Sequence, residues 1–148
     1  MEREATAQWR GNFKEGMGFI RTESGSLKNL PYSFSKRFEN EPGTNPEELI
    51  AAALSSCFAM AMAAELDKKN LKAETIDVRA TVHLEQKTPD WEIPRVNLSV
   101  SVFVPQGKHK DVFHAATFSK DNCPISKLLD VEITMDFHLI DRQGIELQ

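Results

Sequence analysis

Residues 45–66 read NPEELIAAALSSCFAMAMAAEL, and their pattern decides the fold. Asn45 can accept from the first free amides of a helix, Pro46 fits the first helical position, and Glu48 stands where a capping box needs it. Glu47 faces the positive helix end. Between Leu49 and Ala64 no residue is charged and apolar side chains surround the axis, so this helix is expected to be buried on all sides. The charge-free run is shorter than the roughly 18 residues of a spanning segment, which favours a core helix over a membrane one. Its small side chains let other backbone approach closely and leave Cys57 as the reactive group at its middle, although a buried Cys is ordinarily inert packing.

Upstream, Ala5, Ala7 and Trp9 alternate with Thr6 and Gln8 and predict a strand. Residues 13–16 form a turn, 17–23 a second strand and 24–30 a polar loop, followed by the short segment 32–38. The first third is therefore a meander. Arg37 lies in KRFENEPGTNPEE, just before a Pro-Gly turn, which puts its side chain near the start of the long helix.

Downstream, polar residues 67–70 end the helix. Ile76, Val78, Ala80, Val82 and Leu84 alternate with polar neighbours, and Val96, Leu98, Val100, Val102 and Val104 repeat the pattern. This pair is expected as an antiparallel hairpin across a turn region at 88–94. Residues 110–119 suit an amphipathic helix carrying Val112, Phe113 and Ala116, DNCP breaks it, and 124–129 supply one or two further helical turns. Val131 to Leu139 form a last strand with one apolar face, and the tail from Asp141 is expected to fray.

The expected class is α+β, with antiparallel sheets wrapped around the long apolar helix. One sheet and one short helix leave part of such a helix uncovered, so a second copy of the chain is expected to cover it as an obligate homodimer. With 148 residues, 41% hydrophobic and 27% charged, the sequence fits a single domain over 1–148, with 141–148 as its frayed tail. A net charge of −4 with scattered Lys and Arg argues against a nucleic-acid partner. The first residues, MEREATAQWRGNF, contain no apolar signal region, so the expectation is a cytoplasmic protein with no membrane association. Two Cys do not make a disulfide scaffold, and in a reducing compartment both begin as thiols.

Cys57 and Cys123 lack CxxC pairs or His spacing, which disfavours a metal site. CPISKLL places Cys123 at a helix start, where amides and the dipole favour a thiolate; an inert Cys in a turn is the alternative. His83, His109, His114 and His138 read as solvated residues rather than ligands or bases.

RFENEPGTNPEELIAAALSSCF together with NCPISKLL resembles the osmotically inducible protein C and organic hydroperoxide resistance family, closer to its osmotically inducible branch. The strand pattern on either side extends the likeness over nearly the whole chain. The resemblance implies a thiol-dependent peroxidase and an intertwined homodimer with sites at the subunit interface. It assigns Cys57 as the peroxidatic thiol, Cys123 as the resolving thiol, Arg37 as the activating cation and Glu47 as the acid that holds Arg37. Leu54 stands where some members carry His. No bound cofactor is implied: the substrate is a small hydroperoxide, and the reductant is an external dithiol, for which the family suggests a lipoyl group or lipoylated protein, with thioredoxin or a small thiol as alternatives.

Physical reasoning supports these roles. A thiol attacks peroxide as thiolate, and at a pKa of about 8.5 only a few per cent is ionised near neutrality. Cys57 lies three turns inside its helix, too deep for the dipole to help, so a side-chain cation is required. Full ionisation gains only about thirtyfold; the larger share must come from orienting the peroxide and stabilising the departing alkoxide. At about 100° per residue Glu47 lies some 80° round the axis from Cys57, whereas Glu48 points away. Ten residues of helix rise about 15 Å, so Arg37 must bridge the gap, or one of the groups comes from the partner chain. Leu54, Phe58 and Met60 are the expected apolar wall around Cys57. A redox sensor and an apolar-ligand carrier remain as the rival classes.

Overall fold

The computed structural model describes residues 1–147. The chain divides into two compact units, Met1–Leu49 and the remainder from Ile50 onward.

In the first unit, β1 (Ala5–Arg10), β2 (Met17–Thr22) and β3 (Leu30–Ser33) form the expected antiparallel meander. Trp9, Gly18 and Tyr32 are register partners across it. A Cβ on Gly18 would collide with the Tyr32 ring, so glycine here lets that ring lie across β2, 5.5 Å from Trp9. The chain then enters α1 (Phe34–Phe38), whose cap is Ser33: its hydroxyl accepts from the Lys36 amide at 3.2 Å. This turn of helix carries Arg37.

The long helix, α2 (Pro46–Asp67), begins in the first unit and runs on into the second. Asn45 caps it as expected, its side-chain oxygen accepting from Glu48 N–H at 2.8 Å. The capping box is not formed as predicted: the Glu48 carboxylate accepts from the Thr44 hydroxyl at 2.8 Å, a partner one residue earlier in the chain. At the far end Asn70 adopts φ 55, and Leu71 N–H returns to the Leu66 carbonyl at 3.0 Å, which closes the helix.

The second unit holds β4 (Thr75–Lys87), β5 (Asp90–Phe103) and β6 (Glu132–Leu139), with α3 (His109–Asn122) and α4 (Pro124–Leu128) between the last two strands. The β4–β5 hairpin is tighter than predicted. Its turn is confined to Thr88 and Pro89, and 90–94 belong to β5 because Asp90 and Trp91 pair with Lys87 and Gln86. The expectation of purely antiparallel sheets is also corrected, since β6 runs parallel to β5. The α3–α4 crossover brings the chain back to the end of the sheet from which β5 sets out, as a parallel neighbour requires. In the tail, Ile140 bridges Glu146, and Leu147 N–H donates to the Leu139 carbonyl at 2.7 Å; the end of the expected frayed segment, residue 148, lies outside the described residues.

Leu54, Phe58, Met62 and Leu66, spaced by four, form the buried line of α2. They join Val96, Leu98, Val100 and Val102 of β5, Val112, Ala115 and Ala116 of α3, and Leu139 of β6 in one core. The helix is apolar all round but is not buried all round. Ala52, Ala53, Ser56, Ala63 and Ala64 are exposed on the opposite face, with Met60 at 76%. By length and composition α2 would also pass for a membrane-spanning helix, yet its buried line seals the core of a sheet. Leu54→Ala should lower stability by about 2–5 kcal/mol, read as a fall in the urea midpoint at unchanged slope, because it leaves a void in this core.

Candidate functional site

In the first unit, α1 and the N-terminus of α2 bring Arg37 and Glu47 together. Arg37 Nη2 donates to Glu47 Oε1 at 2.6 Å, and Nε lies 3.2 Å from both carboxylate oxygens. Glu47 is buried while Arg37 is half-exposed, so the guanidinium is anchored on one side and open on the other. Its carbon lies 5.0 Å from the centroid of the Phe38 ring. The guanidinium borders an apolar cavity of about 310 Å³ walled by Trp9, Phe13, Tyr32, Phe34, Phe38 and Pro46. Phe13, Phe34 and Phe38 pack on one another with centroids 4.9 to 6.1 Å apart. Sequence reasoning missed these walls; the spacing of aromatics in YSFSKRF around Arg37 was the available signal.

In the second unit, α2 presents Cys57 and the α3–α4 junction presents Cys123. Both are free thiols, and they are neighbours: Cys123 bears on the ionisation of Cys57. The break that positions Cys123 is built locally: its N–H ends α3 on the Ser119 carbonyl at 2.9 Å, and Pro124 at the first position of α4 cannot continue the helix. Cys123 is 1% exposed, whereas Cys57 is half-buried. The Cys123 sulfur accepts from Ser126 N–H at 3.4 Å and lies 3.0 Å from the Ser126 hydroxyl. Burial pushes the Cys57 thiol up; the Ile125 amide at its sulfur opposes this, and the neighbouring Cys123 adds to the rise. Burial and the neighbouring Cys123 therefore favour the protonated form of this thiol, which is why a thiolate here needs a cation.

The expected wall around Cys57 divides between core and surface, and Cys57 itself packs against the core cluster that holds Leu54 and Phe58. Leu54 and Phe58, four residues apart, share the sheet-facing side and are fully buried in the core, whereas Met60 is out of phase with them and stands on the exposed face of α2. The apolar cavity beside a predicted site residue is the aromatic one at Arg37. His83 Nε2 lies 2.6 Å from Asn97 Oδ1, His138 pairs with Glu146 at 2.9 Å, and His109 packs against Phe113 and Phe137. Among the described residues no group of three His, Cys, Asp or Glu could hold a metal ion.

The OsmC-like protein family matches residues 38–138, a span that contains Glu47, Cys57 and Cys123 and begins one residue after Arg37. The chain is 39% identical over 145 residues to peroxiredoxin OsmC of Escherichia coli, covering 94% of this chain and 97% of that protein. It is 30% identical over 106 residues to organic hydroperoxide resistance protein-like 1 of Staphylococcus saprophyticus, covering 68% and 73% of the two chains. In fold it is similar to an OsmC-like protein of unknown function from Vibrio cholerae, with a TM-score of 0.76 at 19% identity over 93% of this chain and 99% of that one. It is also similar to the organic hydroperoxide resistance protein OhrB of Bacillus subtilis, with a TM-score of 0.67 at 20% identity over 90% and 97%. By the family match and by identity across nearly its full length, this chain belongs to the OsmC family.

Proposed function

We propose that the protein is a cysteine-based peroxidase that reduces organic hydroperoxides to alcohols at the expense of an external dithiol. The observation that carries this reading is the pairing of a half-buried Cys57 thiol with a buried Cys123 thiol from a distant part of the chain. The names of its relatives, a peroxiredoxin and hydroperoxide resistance proteins, agree with it. Cys57 thiolate attacks the terminal peroxide oxygen, the O–O bond breaks, and the alkoxide leaves and takes up a proton as the alcohol. The resulting sulfenic acid condenses with Cys123, forming the disulfide and releasing water. A dithiol, with a lipoyl group as the favoured candidate, then reopens the disulfide and is itself oxidised.

Arg37, held by Glu47, is the cation that ionises Cys57 and steadies the departing oxygen. The aromatic cavity bordering Arg37 suits a hydrocarbon tail better than hydrogen peroxide. The two units work as one domain within a cytoplasmic homodimer that completes each site. The exposed Ala52, Ala53, Ser56, Met60 and Ala63 face supports dimerisation, since an apolar face of α2 is otherwise left to solvent. Met60→Glu should therefore shift the protein to monomer at micromolar concentration in sedimentation velocity. An unshifted dimer would place the interface elsewhere.

Cumene hydroperoxide consumption with excess dithiol tests the activity. Many turnovers per subunit are expected; a single equivalent would identify a redox sensor, and none an apolar-ligand carrier.

A further inference from the structure

We propose that Ser126 is a catalytic residue of the thiol–disulfide half of the cycle, holding the Cys123 sulfur as it attacks and again as it departs, so that the reductant enters at Cys57. The inference rests on the peroxidase reading above and deepens it.

The Cys123 sulfur caps α4 with its own side chain, and both of the contacts that hold it there come from one residue. The Ser126 amide donates to it at 3.4 Å, and the Ser126 hydroxyl lies 3.0 Å away. Cys123 and Ser126 are both buried, so these contacts are not interchangeable with water. The amide can only donate, but the hydroxyl can reverse. It accepts the thiol proton when Cys123 is protonated and donates its own when the sulfur is anionic. A sulfur that alternates between thiol and thiolate therefore keeps a satisfied partner in both states. The nearby charged residues in sequence, Lys120, Asp121 and Lys127, lie on exposed or half-exposed faces.

In resolution, the Cys123 sulfur bonds to the Cys57 sulfur and the S–O bond of the sulfenic acid breaks. The hydroxyl leaves as water with the proton that Cys123 gives up, and Ser126 retains its own. In reduction, a thiolate of the dithiol attacks one sulfur of the disulfide, and the electron pair of the broken S–S bond leaves on the other. A leaving sulfur with two donors departs more readily, and attack needs an accessible target. Both conditions select Cys57 as the target and Cys123 as the leaving group, because Cys57 is half-buried and Cys123 is 1% exposed. The second thiol of the reductant then displaces Cys57 from the mixed disulfide.

Two measurements test this. In a single turnover with stoichiometric cumene hydroperoxide, Ser126→Ala should oxidise Cys57 within about twofold of the native rate, yet form the Cys57–Cys123 disulfide about tenfold more slowly, with more Cys57 reaching sulfinic acid under excess peroxide. A merely structural Ser126 would slow both steps or neither. Independently of any variant, oxidised native protein treated with 2-mercaptoethanol, alkylated and peptide-mapped should carry the thiol adduct on Cys57 and the alkyl group on Cys123. Equal disulfide rates in native and Ser126→Ala protein, or an adduct on Cys123, would overturn the inference while leaving the peroxidase standing. A native protein that consumes no peroxide and never forms the disulfide would overturn both.

Discussion

Cys57→Ser should abolish turnover, with the rate of cumene hydroperoxide consumption under excess dithiol falling by more than about 10⁴-fold, as expected when the group that attacks is removed rather than weakened. A serine hydroxyl neither ionises near neutrality nor forms the sulfenic acid on which the second step depends. The substitution is conservative for the fold. Ser55 and Ser56, its neighbours on α2, already donate to the Ala52 carbonyl at 3.2 and 2.8 Å, and a serine at 57 can bond back to the preceding turn in the same way. Loss of activity with an unchanged urea midpoint is therefore the expected pair of results. Cys123 cannot take over, because a sulfur 1% exposed offers a hydroperoxide no approach. Cys123→Ser should behave differently: Cys57 is still oxidised once, and dimedone then traps its sulfenic acid in stoichiometric yield. Full turnover by Cys57→Ser would remove the assignment of the attacking sulfur.

The two halves of the candidate site were not equally legible in the sequence. The long helix, its Asn45 cap and the break before Cys123 follow from local chemistry, a capping side chain, a proline and a run without charge, and these need no tertiary information. The meander and the β4–β5 hairpin follow from period-two alternation, which survives in any context where one face is wet. The direction of β6 was not legible, because alternation is identical in parallel and antiparallel strands and only the path of α3 and α4 fixes it. The site's environment was less legible still. Leu54, Phe58 and Met60 are close in sequence to Cys57, but helical phase sends two of them into the core and one to solvent. The aromatic walls beside Arg37 come from β1, β3, α1 and the turn after β1, elements whose convergence is a property of the folded meander. The Glu48 carboxylate found Thr44 because a hydroxyl one residue before the cap competes with the backbone for the same acid.

Arg37→Met should lower peroxide reduction at pH 7 by about 10⁴-fold and move the pH at which Cys57 is half-alkylated upward. Two effects combine. The first is ionisation: burial holds the Cys57 thiol above its ordinary value, with Cys123 adding to the rise and the Ile125 amide opposing it. Without a cation the thiolate fraction at neutrality is then below even the few per cent of an ordinary Cys, and reactivity climbs as pH rises through the alkaline range. In the proposed site the Arg37 guanidinium brings that midpoint down, so deleting it returns the midpoint to the alkaline side. The second effect is orientation of the peroxide and of the departing alkoxide, for which loss of one preorganised donor costs about 10²–10³-fold. The two effects separate with pH. As the pH is raised, ionisation recovers in Arg37→Met and the gap to the native rate should close by at least the roughly thirtyfold that ionisation supplies for an ordinary Cys, leaving the orientational deficit. Arg37→Lys divides them in another way, because an ammonium keeps the charge but cannot grip Glu47 with the Nε and Nη2 pair that fixes the guanidinium. Its alkylation midpoint should stay near the native one while its rate stays low. An alkylation midpoint identical in native and Arg37→Met protein would assign the activating charge to another residue.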